Sequence, residues 1–129
     1  DILTVVRIVQ IQNQKTKKTK KGLINVLYST QKQSSKKRGH NPPNYTIDKL
    51  YDWILSQPNF DKLYNDWVNS KYKTQLRPSI DRINDYKGYS LGNIQLMTWK
   101  ENKQKHINQL LTYQKTFNSK KVIQIFKNG

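Results

Sequence analysis

The chain has 129 residues, with 24 Lys and Arg against 8 Asp and Glu, a formal net charge of +16 and no cysteine. That length suits a single core, and the absence of thiols excludes disulfide scaffolds, cysteine nucleophiles and Cys-ligated zinc or iron–sulfur centres. Only 34% of residues are hydrophobic and the mean hydropathy is −0.94, which argues against a large apolar-pocket enzyme and for a core built on Trp, Tyr, Ile and Leu positions.

Residues Ile2 to Gln12 are rich in Val and Ile and alternate imperfectly, which predicts a strand. With Lys15, Lys17, Lys18, Lys20 and Lys21 they make a basic N-terminal arm or strand over 1–21. From Gly22 to about Lys37, the positions Leu23, Val26, Leu27 and Gln31 fall at helical spacing; Gly39 and Pro42-Pro43 stop that helix. Thr46 caps a second helix carrying Ile47, Leu50, Tyr51, Trp53 and Ile54, closed by Gln57-Pro58. Phe60, Leu63, Tyr64, Trp67 and Val68 follow at i, i+3, i+4, i+7 and i+8, the pattern of a helix with one buried stripe. These aromatics read as core rather than as a base-stacking platform.

The pattern then changes. Pro78 to Ile83 reads as a strand, Asn84 to Gly88 as a turn, and Asn93 to Met97 as the returning strand. Thr98 and Glu101, the only Glu in the chain, form a capping box that opens a helix running toward Leu110-Leu111. Gln114 to Lys121 reads as a linker and Val122 to Phe126 as a further strand, ending on the hairpin-type turn Asn128-Gly129 with nothing after it. With the start on Asp1, this reads as a piece of a longer protein. The expected organisation is a basic arm over 1–21, a main domain over 22–113, and a linker with the start of a truncated module over 114–129. The class is α+β, with a helical layer preceding a strand–strand–helix unit.

No stretch approaches the roughly 18 apolar residues of a membrane span, and no secretory signal pattern is present. A cytoplasmic location without a membrane partner is expected. The positive field of such a chain finds its commonest polyanion in nucleic acid. Asp81 on the first strand, Asn93 at the start of the second, and Asn102 one turn before His106 on the helix can converge in such a unit. A hard divalent cation such as Mg²⁺ takes oxygen ligands and leaves room for substrate phosphate, chemistry suited to phosphodiester hydrolysis. Each residue also has a plainer reading: an ion pair between Asp81 and Arg82, a turn asparagine, a polar helix face.

Pro78-Ser79-Ile80-Asp81-Arg82-Ile83, Lys87-Gly88-Tyr89-Ser90, Asn93 through Trp99, and Glu101-Asn102 together resemble the core of phage-type HNH endonucleases, which include homing endonucleases. The resemblance covers about residues 78–106. A looser one extends upstream through Lys37-Arg38-Gly39-His40 and Trp53 to Trp67, and Lys120 to Gly129 is similar to the opening of the small DNA-binding repeats that follow such domains. It implies a ββα-metal (His-Me finger) fold and nicking or cleavage of double-stranded DNA, with no small-molecule substrate and with one divalent metal, Mg²⁺ or Mn²⁺.

By that resemblance Asp81 and Asn102 are metal ligands, Asn93 orients the catalytic group or holds the loop, and His106 stands where some members carry an additional ligand; a plain histidine on a polar face is the alternative. The family's histidine base is replaced here by Arg82, which stays protonated and is suited instead to clamping the scissile phosphate. His40 is the first candidate for the base, beside Tyr86 or a metal-bound water. Lys36, Lys37, Arg38, Arg77, Lys87 and Lys100 are expected backbone contacts to double-stranded DNA. The competing expectations are a nucleic-acid-binding module of the same fold without chemistry, and a basic structural protein of a ribonucleoprotein.

Overall fold

The first forty residues are divided by Thr19. Helix α1 (Ile2–Lys18) and helix α2 (Lys20–Lys37) meet there; the extended Thr19 backbone ends the first, and its hydroxyl caps the second by accepting from the Gly22 amide at 3.0 Å. The computed structural model describes the backbone of residues 1–128 and the side chains of residues 1–115 except that of residue 14.

The strand expected over Ile2–Gln12 is therefore helix. Val and Ile lose only a few tenths of a kcal/mol each in a helix, and Ile2, Val5, Val6 and Val9 also recur at i, i+3, i+4 and i+7. The Asp1 carboxylate accepts from the Thr4 amide at 2.9 Å and so starts the helix at the first residue able to cap it. Most of its apolar side chains remain exposed, Ile2 at 81% and Leu3 at 73%.

Gly22 lets the two helices approach. A Cβ built there would lie 1.6 Å from the Thr16 carbonyl oxygen, so only a residue without one fits. Lys18 anchors the end of α1, its carbonyl accepting from the Tyr64 hydroxyl at 2.9 Å and its ammonium lying 4.6 Å from the Tyr72 ring centroid.

Gly39, at φ +70°, takes the left-handed conformation that ends α2. Helix α3 (Ile47–Ser56) starts with Thr46 Oγ1 accepting from the Lys49 amide, and helix α4 (Phe60–Asn69) follows within a few residues. Leu23 and Ile24 of α2, Leu50 and Ile54 of α3 and Phe60 of α4 are fully buried against one another, with Trp67 beside them. At about 25 cal/mol per Å² this apolar burial supplies most of the stability of so small a core.

Strands β1 (Pro78–Arg82) and β2 (Ile94–Thr98) form an antiparallel pair in which Ile80 faces Leu96 and Asp81 faces Gln95. Ile80, Ile94 and Leu96 join the core built by the helices. Side-chain alternation then turns Ser79 and Asp81 to the other face, where helix α5 (Trp99–Asn128) crosses the hairpin. Thr98 begins α5: its hydroxyl oxygen accepts from the Glu101 amide at 3.1 Å, while its proton goes to the Glu101 carboxylate at 3.0 Å, in place of the backbone return bond of a full capping box.

The α5 backbone continues as helix through the linker and strand expected over 114–126; the side chains of the expected strand lie outside the described residues. The chain is α+β, mostly helical with one small antiparallel sheet. Among the described residues, no helix is long and apolar enough to cross a membrane.

Gly22→Ala is expected to cost about 1–3 kcal/mol by forcing α1 away from α2, read as a lower midpoint in thermal and urea unfolding. Gly92→Ala, with nothing within 4 Å of the added carbon, stays within about 0.5 kcal/mol of the parent. Equal effects from the two would contradict this account of the helix junction.

Candidate functional site

Asp81 is 2% exposed, at the crossing of hairpin and helix. Its two carboxylate oxygens have different surroundings. Oδ2 accepts from the cross-strand partner Gln95 (Nε2, 2.7 Å) and from the ammonium of Lys105 on α5 (Nζ, 2.6 Å). Lys105 also donates to the Arg82 carbonyl at 3.0 Å, which fixes its position across the strand. Oδ1 is buried and has no hydrogen-bond partner; His106 Nε2 lies 3.9 Å from it.

Asn102 stands one turn before His106 on α5. Its amide nitrogen donates to Ser79 Oγ at 3.0 Å and, more weakly, to the Ile80 carbonyl at 3.4 Å. A carbonyl only accepts, so the NH₂ end must face β1. Asn102 Oδ1 is left buried and without a partner, as Asp81 Oδ1 is. Each such acceptor costs about 1–3 kcal/mol when nothing satisfies it, and two beside one cleft call for a functional account.

Asn93 and Arg82 hold the loop between the strands. The Asn93 side chain accepts from the Asn84 amide at 2.9 Å and donates to the carbonyls of Asn84 at 3.1 Å and Gly88 at 2.9 Å. All its hydrogen-bonding capacity faces the loop, which is the loop-holding alternative of the two expected for it. Arg82 is also buried. Its Nη1 donates to the carbonyls of Asp85 at 2.9 Å and Lys87 at 3.0 Å, and the guanidinium lies 5.5 Å from the Tyr89 ring centroid. That end of the fork is committed to the loop, so the expected phosphate clamp gives way, at Nη1, to a strap on the hairpin.

His40 reaches the hairpin from the end of α2, its Nδ1 3.4 Å from Arg82 Nη1. It lines a cleft with Pro42, Tyr86 and Lys87, separate from the one that holds Asp81. The structure thus gathers Asp81, Asn102 and His106 in one place and sets His40 on the far side of the Arg82 strap.

The Asp81 cleft, about 250 Å³ in volume, opens between α2, β1 and α5. Three guanidinium side chains, Arg38, Arg77 and Arg82, line it against the single carboxylate of Asp81. Among the described residues neither Arg38 nor Arg77 has an ion-pair partner. Of the other expected DNA contacts, Lys36, Lys37 and Lys87 are exposed, and Lys100 lines a shallow groove along α5.

Three polar residues were missed from the sequence. Gln95 was legible as the cross-strand neighbour of Asp81 once the register is known. Lys105 was legible as the third member of an i, i+3, i+4 face with Asn102 and His106. Gln31 falls on the apolar stripe by spacing; it is 3% exposed and its Oε1 accepts from the Tyr45 hydroxyl at 2.7 Å. Burial pushes the Tyr45 phenol well above its ordinary range, so the hydroxyl keeps its proton and donates it.

Among the described residues no three His, Asp or Glu side chains cluster as a metal site; the donor set here is one carboxylate, one amide and one imidazole. Compared with family models, curated proteins and solved structures, the chain finds no match.

Asn93→Ala is expected to lower stability by about 2–4 kcal/mol, since it strips partners from an amide and two carbonyls of the loop. The check is the urea midpoint together with faster amide exchange at Asn84. An unchanged exchange rate at that amide would show that Asn93 does not hold the loop.

Proposed function

We propose that the chain is a divalent-metal-dependent endonuclease that hydrolyses DNA phosphodiesters, with a ββα-metal core of the HNH kind made by β1, β2 and α5. One observation carries this reading: Asp81 Oδ1 and Asn102 Oδ1, from strand and helix, are both buried, both acceptors and both without partners beside a cationic cleft. Oxygen acceptors without donors are what a hard cation needs, and His106 Nε2 at 3.9 Å from Asp81 Oδ1 adds a nitrogen at the same place.

Asp81, Asn102 and His106 would hold the ion, Mg²⁺ or Mn²⁺. Bound there, it supplies Lewis-acid stabilisation of charge on the phosphate and the leaving oxygen. Gln95 and Lys105 hold Asp81 Oδ2 and so orient Oδ1, and Ser79 holds the Asn102 amide nitrogen, leaving its oxygen without a protein partner. Arg38 and Arg77 draw the polyanion to the cleft. Exposed Lys36, Lys37 and Lys87 contact its backbone without reading sequence. His40, expected as the base, lines a separate cleft beside Arg82 and is given no proton-transfer role at this ion.

A second reading has its own observation. Lys105 at 2.6 Å already neutralises Asp81, an arrangement compatible with a basic nucleic-acid-binding module that performs no chemistry.

With supercoiled plasmid and Mg²⁺ or Mn²⁺, the protein is expected to nick DNA, EDTA to abolish nicking, and Asp81→Ala to reduce it at least about a hundredfold. Asn102→Leu should do the same, while the metal raises the melting temperature of the parent but of neither variant. Salt-sensitive duplex binding with no nicking and no metal-dependent stabilisation would replace the nuclease reading by the binding-module one.

A further inference from the structure

The unpartnered atoms around the Asp81 cleft fall into two chemical kinds. Asp81 Oδ1 and Asn102 Oδ1 are acceptors; Gln31 Nε2 and Arg77 Nε are donors, equally buried and equally without partners. Gln31 comes from α2, and Arg77 immediately precedes β1, so the two donors enter the cleft from different elements. Donors repel a cation, and they cannot complete the metal site proposed above. They fit an anion, and the three guanidiniums against one carboxylate in the lining give the cleft the field to attract it.

We infer that Gln31 joins Arg77 in an anion half-site that grips the non-bridging oxygens of a DNA backbone phosphate; Arg77 is an expected backbone contact, whereas Gln31 is not. This rests on the reading that the cleft receives a phosphodiester. The two kinds of orphan atom then divide the work: acceptors on the cation, donors on the phosphate. Gln31 is 97% removed from solvent in effect, at 3% exposure, so its amide is a fixed donor rather than a mobile surface group. Its orientation is set by Tyr45, which takes the carbonyl end and leaves the NH₂ end free. Arg77 adds the charge. Nitrogens screened from bulk water make stronger charge-assisted hydrogen bonds than surface lysines do.

The test is fluorescence anisotropy of a labelled 20-base-pair duplex, one of about that length, in EDTA at fixed salt, so that no metal or cleavage enters. Gln31→Glu keeps an acceptor for the Tyr45 hydroxyl but replaces the donor by an anionic oxygen; Arg77→Lys keeps the charge but removes the Nε donor. Each variant, checked for an unchanged melting temperature, is expected to bind the duplex about tenfold more weakly. Arg77→Lys should leave the salt dependence of binding almost unchanged. The double variant should lose less than the product of the single losses, because both residues hold one phosphate.

Parent-like affinity for both variants, or full affinity with Arg77→Lys, overturns the half-site. The outcome is separable from the nuclease reading: weakened binding in a protein that never nicks removes only the catalysis, and intact nicking with unaffected variants removes only this inference. Should Gln31→Glu lower the melting temperature, Gln31→Met provides the same donor loss without a new charge, and parent-like binding by it likewise counts against the proposal.

Discussion

A buried carboxylate with only one of its oxygens satisfied is the constraint around which the rest of this structure is arranged. Placing Asp81 at 2% exposure costs several kcal/mol unless partners compensate. The fold compensates from two directions at once, with Gln95 across the sheet and Lys105 across from α5, both on Oδ2. Those two contacts tie the hairpin to the helix and, by occupying one oxygen, leave the other to the side of His106. A purely structural ion pair has no reason to leave Oδ1 and Asn102 Oδ1 both bare in the lining of one cleft. The cost of two unsatisfied acceptors is the kind of local instability expected where a site is kept ready for a ligand.

The remaining elements hold that crossing rigid. The core of α2, α3 and α4 buries the apolar face of the hairpin through Ile80, Ile94 and Leu96, which frees the opposite face for polar residues. Asn93 and Arg82 do the same for the loop over 83–93: with no regular structure beyond a short turn, its carbonyls are satisfied by side chains from the strand ends. The aromatic series Phe60, Tyr64, Trp67 and Tyr72 closes the helical layer, each ring in contact with the next, as the helical spacing of the first three implied.

The sequence disclosed elements wherever one periodicity dominated. Helices α2 to α4 carry unambiguous stripes and stops, and the hairpin carries alternating strands bounded by turn residues. At the N-terminus two signals competed: β-branched composition favoured a strand, whereas the spacing of Ile2, Val5, Val6 and Val9 and the Asp1 cap favoured a helix, and the cap decided it. Beyond Leu111 the polar run of Thr, Gln, Lys and Asn lacks an apolar stripe, so nothing in it marks the helical backbone that continues there. In the site, Asp81, Asn102 and His106 were legible because they lie on a short unit whose topology is nearly fixed by its length. Gln31 was not, because its role depends on packing between α2 and β1, far apart in sequence, and a helical stripe position gives no sign that an amide there will face a cleft.

The most direct measurement is X-ray diffraction from crystals soaked in Mn²⁺, read through the anomalous signal of the ion. The account predicts an anomalous peak within coordination distance of Asp81 Oδ1 and Asn102 Oδ1, about 2.1–2.3 Å for such oxygen ligands, and none in crystals of Asp81→Asn. An Mn²⁺-soaked parent crystal with no peak there, and with Lys105 still closed on Asp81, would contradict it.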